Sequence, residues 1–154
     1  AVNLADLDRA QGRDDDGMAV LRAALRLSPN DGGLHHALGL ALVRLKKSDE
    51  AVKELGRAAE LEPGRVRDLY VYAVGLDSIG KRGEAIAALR SGLDRHPDNP
   101  EILAGLVNFS RAEGDLTAAL DFAQRLAKAD PANQNIKKLI EALTKQVMEQ
   151  KGAQ

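Results

Sequence analysis

Ser28-Pro29-Asn30-Asp31 returns along the chain as Glu62-Pro63-Gly64-Arg65, His96-Pro97-Asp98-Asn99 and Asp130-Pro131-Ala132-Asn133. The four prolines are each 34 residues apart, and Pro100 is the only other proline. A fixed period of this length marks a chain built from stacked supersecondary units. Proline disfavours helix in the residue before it and breaks the backbone hydrogen-bond pattern, so each of these segments ends an element.

Between prolines the pattern splits in two. Leu34, Leu38, Leu42 and Leu45 recur at steps of three and four, the helical period. Lys46-Lys47-Ser48-Asp49 interrupts it, with Ser48 expected as N-cap and Asp49 and Glu50 in the first turn of a second helix. That helix carries Ala51, Val52, Leu55, Ala58, Ala59 and Leu61 before Pro63. Later units repeat this plan. Leu69 to Leu76 ends at Gly80, and Ala85 to Leu93 ends before Pro97. Ile102 to Phe109 ends at Gly114, and Leu116 to Leu126 ends before Pro131. Asn99 is placed to cap a helix that begins at Pro100, where a missing N–H is harmless.

Residue size follows the same register. Ala5, Gly39 and Ala73 share one first-helix position, with Val107 in the fourth unit; Gly17, Ala51, Ala85 and Ala119 share one in the second helix. Ala24, Ala58 and Gly92 share another, where the fourth unit has Leu126. Leu21, Leu55 and Leu89 share a large position, where it has Ala123. Small residues let helices cross closely, and the Ala123/Leu126 exchange reads as a volume compensation at one packing site.

Composition agrees with an all-α chain. The 154 residues are 44% apolar and only 3% aromatic, so the core is aliphatic. Twenty-two basic and 23 acidic side chains leave a net charge of −1, which argues against a nucleic-acid binder relying on bulk charge. There is no cysteine, which excludes disulfides, thiolate metal sites and cysteine nucleophiles from these residues. No apolar run approaches the length needed to insert into a membrane, and no signal peptide is visible. The compartment, cytoplasmic or periplasmic, stays open.

Two helices per 34 residues, small residues at the crossings and a closing proline resemble the tetratricopeptide repeat. Ala1-Val2-Asn3-Leu4-Ala5 to Gln11-Gly12 resembles the first helix of that motif without its opening residues; Gly114-Asp115-Leu116-Thr117-Ala118-Ala119-Leu120 resembles its inter-helix turn and second helix. There are two departures. His35, Leu69 and Leu103 replace the family's early aromatic, and Lys46 stands where its turn has glycine. The resemblance implies a single α-solenoid over residues 1–154, a right-handed superhelix of about four antiparallel helix pairs. Repeat 1, truncated, covers 1–31, and repeats 2 to 4 cover 32–65, 66–99 and 100–133. A capping helix at 134–149 and a tail at 150–154 follow. Ile136, Leu139, Ile140, Leu143 and Val147 form one stripe of the capping helix, with Lys137, Lys138, Glu141, Lys145 and Gln146 on its other faces. A truncated fifth repeat or a partner-binding helix is the alternative. Leu4 and Leu7 lack a preceding helix to pack on, so the chain is expected to be a fragment of a longer bacterial-looking protein.

The resemblance also implies a function, the binding of a peptide or partner segment in the concave groove lined by first helices. The family's groove positions fall on Val2, Asp6 and Arg9, on His36, Leu40, Val43 and Arg44, and on Arg67, Tyr70, Val74 and Asp77. They continue on Ala104, Asn108 and Arg111, and on Lys138. Five basic side chains face two acidic ones, which suits an extended, acidic peptide; the same residues would also serve as a solvated helix face. Tyr70 is the expected aromatic anchor and Tyr72 a core residue. The Lys and Asn positions with which some members hold a C-terminal carboxylate are His36, Leu40, Tyr70 and Val74 here and do not match.

His35 and His36 are adjacent on a helix and point about 100° apart, so they do not chelate together. Asp14-Asp15-Asp16 lacks the alternating ligands of a calcium loop and is read as helix-start charge. No metal, cofactor or catalytic set is expected, and the protein is not read as an enzyme. The alternatives to partner binding are self-association through exposed solenoid ends, and a docking domain of a periplasmic redox protein. The latter follows from a resemblance of Asp68 to Gly80 to the repeat region of multihaem cytochrome-like proteins.

Overall fold

The computed structural model describes residues 14–153, and these contain eight helices and no strand. They are α1 (Asp14–Leu27), α2 (Gly32–Arg44), α3 (Ser48–Leu61), α4 (Val66–Ser78), α5 (Arg82–Arg95), α6 (Pro100–Glu113), α7 (Leu116–Ala129) and α8 (Gln134–Gly152). The expected first helix of repeat 1, with Val2, Leu4, Ala5, Asp6, Leu7 and Arg9, lies outside the described residues. The chain divides into two compact units, Ala1–Lys81 and Arg82–Gln154. In the first, α1 packs on α2, α2 on α3 and α3 on α4; in the second, α5 packs on α6, α6 on α7 and α7 on α8.

Helix ends follow the 34-residue register because each end solves the same hydrogen-bonding problem. The first N–H groups of a helix lack partners. Asp31 Oδ1 accepts from Leu34 N at 3.0 Å. Asn99 Oδ1 accepts from Glu101 N and Ile102 N at 3.0 and 3.1 Å, with Pro100 opening the helix as expected. Asn133 Oδ1 serves Asn135 and Ile136 in the same way. Arg65, at the same register position, makes no side-chain cap. Ser48 is not an N-cap either. It is the first helical residue, Lys47 takes the cap position without a side-chain bond, and the Lys47 carbonyl accepts from Ala51 N. The first helical turn thus opens one residue earlier than the Ser48 hydroxyl would need.

The turns joining α2 to α3, α4 to α5 and α6 to α7 have one geometry. Lys46, Gly80 and Gly114, 34 residues apart, have φ of 59°, 80° and 87°. In each, the left-handed residue donates to the carbonyl three residues back, Val43, Asp77 or Arg111. The next residue donates to the one five back, Leu42, Leu76 or Ser110. This is the paired bonding that terminates a helix in a left-handed residue.

Packing follows the size pattern. In the first unit Met18, Leu21, Leu34, Leu38, Ala41, Leu42 and Ala51 form one buried cluster. Leu55 is 1% exposed and lies over Gly39, where an added Cβ would sit 2.7 Å from Leu55 Cγ. Gly56 likewise makes room for Tyr72, whose ring would meet a Cβ there at 2.9 Å, so Tyr72 packs against α3 while remaining half-buried. In the second unit Leu89, Ile102, Leu103 and Leu106 are fully enclosed, beside Val107, Ala119, Phe122, Leu143 and Val147. Ala123 is buried, while Leu126 is only half-buried and less enclosed than its register partners Ala58 and Gly92. α8 runs to Gly152, three residues beyond the expected end, and keeps Lys137, Lys138, Glu141, Lys145 and Gln146 exposed. None of the described helices is long and apolar enough to cross a membrane.

Candidate partner-binding surface

Residues spaced four and three apart on α2, namely His36, Leu40 and Val43 with Arg44 beside them, share one face of that helix. Arg67, Tyr70, Val74 and Asp77 do the same on α4. Burial of the opposite stripes, through Leu34, Leu38 and Leu42 on α2 and Ala73 and Leu76 on α4, leaves these faces outward. A polar contact joins them: His36 Nδ1 lies 3.0 Å from Asp68 Oδ1. The N-terminal parts of α2 and α4 meet at this contact.

The resulting surface is part apolar and part charged. Val43 and Val74 are 49% and 43% exposed, which is high for large aliphatic residues in a folded chain. Leu40 and Tyr70 are half-buried, and the Arg67 guanidinium lies over the Tyr70 ring, 5.9 Å from its centroid. That is cation–π range. Arg44 and Arg67 are exposed, Asp77 is half-buried, and all three have interaction partners within the fold.

In the second unit Asn108 and Arg111 are exposed on α6, Ala104 is half-buried, and Lys138 is exposed on α8. Arg9 lies outside the described residues. The two histidines take different partners. His35 Nε2–H donates to the Pro29 carbonyl at 2.9 Å, and its Nδ1 is 2.6 Å from Glu54 Oε2. His35 thereby ties the turn before α2 to α3. It stands where the family has an aromatic, and it bridges with hydrogen bonds instead of filling space.

Sequence reasoning missed Asp68. The carboxyl is 2% exposed and touches both His36 and Arg65, whose Nη1 is 3.3 Å from Asp68 Oδ2. Arg65 Nε also reaches Glu62 Oε2 at 3.1 Å. The signal was present in the repeat register, because position 68 aligns with Leu34 and Ile102, both buried hydrocarbon. An acidic residue in a slot otherwise filled by aliphatics is a departure that the period itself exposes.

Comparison with known proteins agrees with this architecture. The family model described as Tetratricopeptide repeat matches residues 2–66 and another of the same description matches residues 80–143. The peroxisomal targeting signal receptor of Saccharomyces cerevisiae is 33% identical over 107 residues, covering 70% of this chain and 16% of the receptor. The chain thus spans about a sixth of that relative's length. Among solved structures, MamA from Desulfovibrio magneticus RS-1 superposes with a TM-score of 0.73 at 18% identity, over 98% of this chain and 85% of that one. YrrB, described as a TPR protein with an unusual peptide-binding site, superposes at 0.70 with 17% identity, over 92% and 73%. These two structures share the fold. With the 34-residue period, the paired helices and both family matches in agreement, the chain belongs to the tetratricopeptide repeat family.

Proposed function

We propose that this chain is a protein-interaction scaffold that binds an extended peptide or partner segment, acidic in character, along the outward faces of its first helices. The observation that carries this reading is the outward faces of α2 and α4, where Val43 and Val74 are exposed and the Arg67 guanidinium lies over the Tyr70 ring. Half-exposed aliphatics and an aromatic ring supply apolar contact. In the first unit Arg44 and Arg67 outnumber Asp77 on these faces, and in the second Arg111 and Lys138 are both basic, which favours an acidic partner on either unit. The peptide-binding description attached to YrrB supports the reading by likeness of fold. In this scheme residues 32–65, 66–99 and 100–133 act as repeats, with α8 as the cap whose polar side faces solvent.

The test is a pull-down comparing the native chain with an Arg44→Glu, Arg67→Glu, Arg111→Glu variant of unchanged helix content. A partner kept by the former and lost by the latter supports the proposal. Equal capture moves recognition away from these faces. Tyr70→Ala is expected to weaken the same interaction while leaving thermal unfolding within a few degrees of native.

A further inference from the structure

Asp68 occupies a place where the fold needs no carboxylate. Leu34 and Ile102 fill the equivalent slot with hydrocarbon, at 7% and 0% exposure. Burying a carboxylate beside cations is commonly no better for stability than a packed aliphatic. The neighbourhood has changed with it. Arg65 stands where Asp31, Asn99 and Asn133 cap their helices, and it turns its guanidinium to Asp68 instead. On the other side His36 Nδ1 approaches Asp68 Oδ1 at 3.0 Å, yet that nitrogen is enclosed without an aligned hydrogen bond. The imidazole keeps 22% of its surface exposed, so with Nδ1 enclosed the exposure belongs to the rest of the ring, on the outward face of α2.

A buried carboxylate behind an imidazole sets which nitrogen faces the protein and which faces outward. We propose that His36, held by Asp68, is the specificity-determining residue of this surface for a carboxylate of the bound partner. In the bound state Nδ1 faces Asp68 and Nε2–H donates to the partner's carboxylate. The charged groups around the ring among the described residues are Asp68 and, through it, Arg65, which Glu62 also holds; Glu54 of α3 is engaged by His35. Arg44 and Arg67 are exposed on α2 and α4. A carboxylate accepts a charge-assisted hydrogen bond from Nε2–H, which a neutral amide ligand does not. The inference rests on the acidic-partner reading above.

The experiment titrates the chain with acetyl-tetraglutamate amide and acetyl-tetraglutamine amide. Backbone amides of α2 and α4 and the ring nitrogens of His36 are followed by NMR. The expected result is that the glutamate peptide shifts the amides and the His36 ring resonances. Binding should weaken about tenfold in Asp68→Leu and in His36→Gln. Asp68→Leu restores the residue type of the sibling repeats and is expected to stay folded. Should it unfold, His36→Gln, at a part-exposed position, decides. Amide shifts without movement of the His36 ring, or undiminished binding by the folded variants, would overturn the inference and leave the surface reading standing. Equal binding of the glutamine peptide would overturn the acidic-partner reading and this inference together, as would no shift with either peptide.

Discussion

Replacing Lys46 by glycine should make the protein more stable although it deletes a charged side chain and adds no contact. Lys46 has φ of 59°, while the register-equivalent residues are Gly80 and Gly114 at 80° and 87°. A side chain in the left-handed region places Cβ too near the following carbonyl, which costs about 1–2 kcal/mol. Glycine removes that strain but has a more flexible unfolded chain, which returns about 0.4–1 kcal/mol of the gain. Taking the middle of each range, the difference is a net stabilisation of about 0.8 kcal/mol. Both turn hydrogen bonds, from Lys46 N to Val43 O at 3.0 Å and from Lys47 N to Leu42 O at 2.9 Å, use backbone atoms and survive the change. In urea the midpoint should rise at constant slope, since the exposed area on unfolding is unchanged. By the usual size scaling the melting temperature should rise by about 1–4 °C. Hydrogen exchange should slow most in α2 and α3, because stability in a repeat array is largely local. Gly80→Ala is the mirror control and should lose about 1 kcal/mol. An unchanged or lowered midpoint for Lys46→Gly would refute the reasoning, by showing that the lysine side chain offsets its own strain.

Other outcomes follow from the packing and the caps. Leu55→Ala should lose about 2–5 kcal/mol in denaturant melts, since the side chain is 1% exposed and the site over Gly39 cannot collapse readily. Ala51→Leu, at another 1% exposed position, should lose roughly 1–3 kcal/mol by overfilling the crossing. Asn99→Ala removes an acceptor serving two N–H groups and should lower stability by about 1 kcal/mol, read by the same melts, with faster amide exchange at Glu101 and Ile102. Near-native behaviour of the Leu55 and Ala51 variants would mean that the repeat register is misplaced.

The repeat register, read from prolines, capping residues and turn residues together, located the described helix ends to within a few residues. The reason is local: proline before a polar turn, a capping Asp or Asn, and a left-handed residue each act through backbone geometry within one or two turns of themselves. Ser48 failed as a cap because a hydroxyl next to a helix start can sit one residue inside it, and only the carbonyl bonding of Lys47 decides which. That His36, Leu40, Arg44, Arg67, Tyr70, Val74 and Asp77 lie off the buried stripes of α2 and α4 follows from helical period and register; their service as a binding row is the proposal. How those side chains associate was not legible in the sequence. Nothing in their spacing requires Arg67 to lie over Tyr70, or His35 to bond Pro29 and Glu54 while its neighbour turns to Asp68.

By itself the sequence determined the helices, their pairing and which face of each is apolar, because these depend on periodicities of a few residues and on a repeat that states them several times over. Tertiary structure alone decided which partners the Asp68 carboxyl meets. His36, Arg65 and Asp68 come from an earlier helix, a turn and a later helix, and their meeting depends on how closely α2 and α4 approach. That distance is set through α3, where Leu55 packs over Gly39 of α2 and Gly56 receives Tyr72 of α4, contacts between residues sixteen apart in the chain.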